Sequence, residues 1–215
     1  MASYNAETPC TQLVHDYANL IKDKVVLVTG VSPGTLGGHF VESIAKANPA
    51  LLIIAARNPD KAQKTADEVR QQQQQQQQQQ GAPEFRTLKL DLGSFQSVRQ
   101  AADEVNGWKD VPAIDVVVNN AGIMAPSYVL TEDGFEFQLQ TNYLGPFLFT
   151  NLIMDKVLAS KSPRVVMVSS DGHRLSAFRF DDYKFDVWIY FIPLFIAYAD
   201  QLGCSCRTER LTTDG

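Results

Sequence analysis

The sequence predicts an α/β fold, a parallel sheet with helices wound on both faces, and three observations carry that expectation. Short apolar, β-branched runs alternate with helix-like runs along most of the chain. Several strand-like runs are continuously apolar, as strands buried on both faces are. The first of them feeds a glycine-rich turn that opens a helix-like run, VVLVTGVSPGTLGG followed by HFVESIAKA.

Residues 1–23 read as a docking helix. Thr8 is a candidate N-cap, Pro9 suits a first turn, and Leu13, Tyr17, Leu20 and Ile21 share one apolar face. The first strand is expected at 25–29 with its helix at 36–47. A second strand, 51–56, leads to a helix starting near Asn58 and Pro59. A third, 86–91, leads to a helix over 94–105 that Ser94 caps. The fourth, 114–119, leads to a long helix from about 131 to 158, and a fifth strand covers 164–168. Such alternation requires right-handed crossovers. Ten glutamines occupy 71–80. Glutamine is a fair helix former, so the second helix is expected to run into a solvated insertion that Gly81, Ala82 and Pro83 stop, the alternative being a self-association segment.

The 215 residues suffice for one α/β domain with a real core. A net charge of −5 argues against a nucleic-acid surface, which needs a basic face. The amino terminus has no basic start followed by an apolar block, so no secretion signal is expected. Three cysteines, Cys10, Cys204 and Cys206, give no disulfide framework and suggest a reducing, cytoplasmic compartment. Cys204 and Cys206 lack partners at ligand spacing, so no metal is expected.

The glycine turn suits a dinucleotide pyrophosphate. A helix N-terminus offers unpaired N–H groups and a positive dipole end, and glycines let the ligand approach the backbone. No Lys-Ser/Thr pair follows the last glycine, which disfavours a Walker-type loop; a plain strand-to-helix corner is the bland alternative. Other strand ends carry suggestive residues. Asn119-Asn120-Ala121-Gly122 closes the fourth strand, Asp91-Leu92 the third and Ser169-Ser170 the fifth, while Asn142 sits in QTNYLGPFLFT. In open α/β sheets, ligands lie beyond these carboxyl ends.

In that order, TGVSPGTLG, DL, NNAG, TNYLGPF and VMVSSDGHR resemble the short-chain dehydrogenase/reductase family from Lys24 to about Asp186, and RVVMVSSDGHRLSAFRFDDYKFD resembles its retinol-dehydrogenase-like members. The glycines depart slightly, with Gly30, Gly34 and Gly37 spaced one residue longer than the common family form. The resemblance implies a Rossmann-type, doubly wound domain over 24–186. It implies that Gly30, Ser32, Gly34, Leu36 and Gly37 wrap the pyrophosphate and that Asp91 and Leu92 hold the adenine. Asn119, Ala121 and Gly122 would line the path to the nicotinamide. Arg57, with no acid at that strand end, would face the adenosine ribose and favour NADP(H) over NAD(H). Ser170 would hydrogen-bond a substrate carbonyl oxygen and Asn142 would anchor a water in a proton relay. The implied reaction is hydride exchange between the nicotinamide and a carbonyl/alcohol pair of a lipophilic small molecule.

The family's proton donor is a tyrosine with lysine four residues later, on the same helix face, where the charge lowers the phenol pKa. None of the tyrosines at 4, 17, 128, 143, 183, 190 and 198 has lysine at that position. Tyr198 is the positional candidate, but Leu202 stands where the lysine belongs. Activity is therefore expected to be reduced or lost, with a non-catalytic nucleotide-binding protein or a poorly folding fragment as alternatives. Residues 187–199, VWIYFIPLFIAYA, are uncharged, carry Pro193, and are too short for a bilayer span, which takes about 20 apolar residues. The family pattern stops there. The sequence predicts a truncated or altered product whose tail, 187–215, derives from a retained intron or shifted frame, leaving the fifth strand as an exposed edge.

Overall fold

In the computed structural model, which describes residues 4–5, 7–75, 83–174 and 180–183, β1 (Val25–Thr29) is the middle strand of the sheet. The other strands are β2 (Leu51–Ala56), β3 (Glu84–Lys89), β4 (Val116–Asn119) and β5 (Arg164–Met167). Their order is β3-β2-β1-β4-β5, and every pairing is parallel, with Val26 beside Leu52 on one side and Val116 on the other. The order reverses between β1 and β4, which creates a ligand crevice at the carboxyl ends of those strands.

Helices cover both faces. On one side lie α3 (Leu36–Ala45) and α4 (Pro59–Gln75); on the other lie α5 (Phe95–Gly107), α7 (Gly145–Leu152) and α8 (Met154–Leu158). Strand side chains alternate between faces, so adjacent residues feed different cores. Leu27, Ile53, Leu88 and Val117 meet Val98, Val105, Phe149 and Ile153, whereas Val28, Leu52, Ile54 and Val118 meet Val41, Ile44, Ala62 and Val69. Burying each large aliphatic side chain here contributes about 1.5–3 kcal/mol.

The amino-terminal segment differs from its expected form. It makes two short helices, α1 (Cys10–Asp16) and α2 (Ala18–Ile21), broken at Tyr17. Val14 and Ile21 pack against the α3/α4 core, while Tyr17 and Leu20 are exposed. Thr8 does not cap α1; its hydroxyl instead exchanges hydrogen bonds with Asn5. The expected helix over 131–158 is also corrected. Thr131 and Gly134 form a turn, and Leu130 bridges Glu136. Helix then starts only at α6 (Phe137–Leu139), where the Glu136 carboxylate accepts from the Gln138 and Leu139 N–H groups. A π-helical turn over Gln140–Leu144 follows, and Ile153 interrupts the run between α7 and α8.

Helix α4 runs into the glutamine tract, where Gln73 is buried and its Nε2 donates to the Ala45 carbonyl at 2.9 Å. The tract is thus not uniformly solvated. At the amino end of the sheet, Asp115 accepts from the Val25 N–H at 2.9 Å, the Ser160 hydroxyl at 2.7 Å and Lys24 Nζ at 3.3 Å. Burial alone would raise its carboxyl pKa, but these donors outweigh burial and hold it below the ordinary value. Strand β5 is the sheet edge among the described residues, and Val165, Val166 and Met167 are each at least 42% exposed. The chain divides into two units, Met1–Ser176 and Ala177–Gly215. In the second, Phe180–Asp182 makes a single 3-10 turn.

Candidate nucleotide-binding site

The turn after β1 is built so that only glycine fits at key positions. Gly30 (φ 72°) and Gly34 (φ 70°) adopt the left-handed conformation that side chains disfavour. A Cβ at Gly30 would stand 2.5 Å from Ala121 Cα, and one at Gly37 would stand 2.7 Å from the Gly30 carbonyl oxygen. Thr35 caps α3: its Oγ1 accepts from the Gly38 N–H at 3.2 Å and donates to the Ser32 carbonyl at 2.8 Å. The Leu36 and Gly37 N–H groups keep no partner among the described residues. They stand at the positive end of the helix, as an anion site requires.

The ends of β1 and β4 are lashed together. Thr29 Oγ1 accepts from the N–H groups of Asn120 (3.1 Å) and Ala121 (3.0 Å). Asn120 Nδ2 returns the link by donating to the Thr29 carbonyl at 2.9 Å. Beside these groups opens a cleft of about 430 Å³ at the carboxyl end of the sheet.

Of the sequence-derived candidates, Gly30, Ser32, Leu36, Gly37, Arg57, Asp91, Leu92, Ala121 and Gly122 all line this cleft. Asp91 is shaped by its turn: Oδ1 accepts from the Gly93 N–H at 2.9 Å, and its own N–H donates to Ser97 Oγ at 3.0 Å. Gly34 shapes the turn but does not line the cleft.

Asn119, expected beside the nicotinamide, lies beneath the cleft instead. It is 3% exposed, and Nδ2 donates to Thr150 Oγ1 at 3.0 Å and meets Met167 Sδ at 3.1 Å. Period-two alternation explains this, because Asn119 still belongs to the strand and points into the core, whereas Asn120 has left it. Asn142 also stands outside the lining, in the π-helical turn, with its side-chain amide paired to the Ile123 backbone. Ser170 is exposed beyond β5, and its Oγ accepts from the Gly172 N–H at 3.2 Å. Tyr198, Cys204, Cys206 and residues 187–199 lie outside the described residues.

Several lining residues were given no site role from the sequence: Thr35, Asn58, Lys61, Asn120, Ile123, Phe137 and Thr141. Thr35 was legible as a hydroxyl directly before a helix; the others depend on which way a helix or loop faces. Thr141 Oγ1 is a buried hydroxyl oxygen with no partner among the described residues. The open glycine turn, unpaired helix amides and orphaned hydroxyl fit a polar, phosphate-bearing nucleotide. Among the described residues no cluster of His, Cys, Asp and Glu could hold a metal, and no helix is long and apolar enough to cross a membrane.

Comparisons with known proteins agree with this architecture. The family model described as short chain dehydrogenase matches residues 24–184. Retinol dehydrogenase 13 of Mus musculus is 35% identical over 170 residues, which are 79% of this chain and 48% of that protein. Retinol dehydrogenase 14 of Homo sapiens is 35% identical over 169 residues, 76% of this chain and 49% of that protein. The chain therefore spans about half the length of these curated relatives. A crystal structure of an uncharacterized protein from Mycobacterium paratuberculosis superposes with a TM-score of 0.60 at 32% identity, covering 77% of this chain and 53% of that one. With a Rossmann-type sheet, a glycine-turn cleft at its switch point and a family match across the whole of both, the chain belongs to the short-chain dehydrogenase/reductase family, among its retinol-dehydrogenase-like members.

Proposed function

We propose that this chain binds NADP(H) and belongs to an oxidoreductase acting on the carbonyl/alcohol pair of a lipophilic small molecule. The observation that carries the reading is Arg57. It lines the cleft at the end of β2, where an acid would select the ribose hydroxyls of NAD(H). The unpaired Leu36 and Gly37 amides would take the pyrophosphate, and the Asp91 carboxylate would accept from the adenine amino group. When bound, the nicotinamide supplies or accepts the hydride. The protein side of the reaction is orientation along Ala121 and Gly122 and a hydrogen bond from Ser170 to the substrate oxygen. Asn142 would anchor a relay water from its backbone carbonyl, since its side-chain amide is paired to Ile123. The names of the retinol dehydrogenase relatives support a lipophilic substrate. The cysteine count supports a cytoplasmic location.

A second reading is a nucleotide-binding protein without turnover. It is favoured by the absence of any tyrosine followed four residues later by lysine in this sequence, Leu202 standing at that position after Tyr198. General acid–base assistance contributes about 10²–10⁴-fold, so its loss leaves weak turnover at best. Consumption of NADPH with long-chain aldehydes and ketones separates the two. Turnover that vanishes in Tyr198→Phe supports the enzyme; tight NADPH binding with no turnover supports the binding protein.

A further inference from the structure

We infer that the open edge of β5 is a self-association surface, where a second copy of this chain adds its own β5 antiparallel about a two-fold axis at Met167. The inference is independent of the nucleotide-binding reading. In the parallel ladder between β4 and β5, the Arg164 and Val168 N–H groups donate to the Asp115 and Asn119 carbonyls at 2.9 and 3.0 Å. Backbone groups of alternate residues leave a strand on opposite edges. The N–H and C=O groups of Val165 and Met167, and of Ser169 beyond them, therefore point to the open edge. They have no backbone partner there among the described residues. Such a row is a template for another strand.

The two edges of the sheet differ in chemistry. On β3, three of the six residues are charged, Glu84, Arg86 and Lys89. Arg86 is held by Asp110 at 2.6 Å and Glu84 at 3.2 Å. Charges of this kind blunt an edge. Strand β5 has one charge, Arg164 at its start, followed by the exposed Val165, Val166, Met167 and Val168. An edge that pairs with itself and not with the opposite edge closes at two copies instead of growing into a filament.

The backbone also selects the register. Matching outward residues with outward residues sets Met167 opposite Met167 and Val165 opposite Ser169, each pair exchanging two hydrogen bonds. A centre at Val165 would instead set Met167 opposite Pro163, which has no N–H to donate. With the centre at Met167, Val166 of each copy lies opposite Val168 of the other, as β-branched cross-strand pairs on one face of the joined sheet. Antiparallel addition also sends the two Arg164 residues to opposite ends of the seam, whereas in-register parallel addition would stack them. Each Arg164 then sits toward the other copy's exposed Asp171, whose carboxylate lies 3.5 Å from Arg174 in its own chain.

The test is sedimentation equilibrium of the full chain over a range of concentrations, alongside Val166→Lys, Val168→Glu and the double variant carrying both changes. Each single change occurs twice across the seam and sets a charge against a valine, so each is expected to weaken dimerisation about tenfold. The double variant sets each lysine opposite the other copy's glutamate and should recover most of that loss. Hydrogen exchange should find the Val165 and Met167 amides protected in the dimer and open on dilution to the monomer. A chain that stays monomeric at every concentration would overturn the inference; protection of those amides in that monomer would give the edge to residues 184–215 of the same chain. A dimer that neither single change weakens would place self-association on another surface and overturn it too. A double variant no better than the singles would overturn the antiparallel register, and open-ended oligomers would overturn closure at two copies. Thermal unfolding of each variant confirms that a change in association is not a change in folding.

Discussion

Asn142 and Ile123 are joined by a reciprocal pair of hydrogen bonds: Asn142 Oδ1 accepts from the Ile123 N–H at 2.8 Å, and Nδ2 donates to the Ile123 carbonyl at 2.8 Å. The asparagine amide thus imitates a strand neighbour for the chain just past β4. It also stands 3.5 Å from where a Cβ on Gly122 would lie. The contact is solvent-exposed, so Asn142→Ala should lower stability by only about 1 kcal/mol. Freed from its clamp, the cleft floor at 122–123 should bind NADPH several-fold less tightly. Urea unfolding and dinucleotide titration measure the two effects separately.

Thr29 carries a larger share of the architecture. It is 1% exposed, and its hydroxyl oxygen satisfies two backbone N–H groups at the end of β4. Thr29→Val keeps the shape but leaves the Ala121 N–H unpaired, while the Asn120 N–H keeps the Val118 carbonyl at 3.0 Å, so the cost should be about 1–3 kcal/mol. Thr29→Ser retains an acceptor and should lose much less. Denaturant midpoints of the two variants check the difference.

Gly145 meets the third strand's exit at close range. A Cβ there would lie 2.4 Å from the Leu92 carbonyl oxygen and 3.0 Å from that of Gln140. Both obstacles are backbone, so relief requires moving a helix. Gly145→Ala should cost about 3 kcal/mol, the upper range for overpacking, and should also disturb the cleft wall that Leu92 provides. A lowered melting temperature together with weaker NADPH binding is the expected result.

Asp115 should give the acid limb of stability a visible slope. Its folded pKa is lowered, so its stabilisation is fully present above the ordinary carboxylate value, about 3.9, and is lost as the pH falls through the folded value. In Asp115→Asn this contribution disappears. Urea midpoints measured from roughly pH 6 to pH 3 should then converge between the variant and the unaltered chain.

The sheet was legible because its strands are buried on both faces. LLIIAA at β2 is fully buried along its length and admits no other reading as a short run bounded by turns. The expected helix reached back over Thr131 to Glu136, yet TEDGFE holds one apolar residue, Phe135, and no helical face. Gly134 takes φ 80°, and Asp133 Oδ2 accepts from the Phe95 N–H at 2.9 Å, tying the segment into a turn by a contact 38 residues distant. Periodicity cannot register such a contact. Similarly, NNAG marks the cleft as a motif, but which asparagine faces the ligand depends on where β4 ends. Lys61 reads as one more charge in PDKAQK until the helix is placed against the cleft.

The central claim, that the cleft at the carboxyl end of the sheet holds NADP(H), is tested most directly by thermal unfolding of the purified full chain with increasing NADPH. A ligand at about 100 times its dissociation constant adds about 2.7 kcal/mol to the folded state, so the melting temperature should rise by about 5–10 °C. NADH at the same concentration should raise it less. A melting temperature that does not move at any NADPH concentration would contradict the claim.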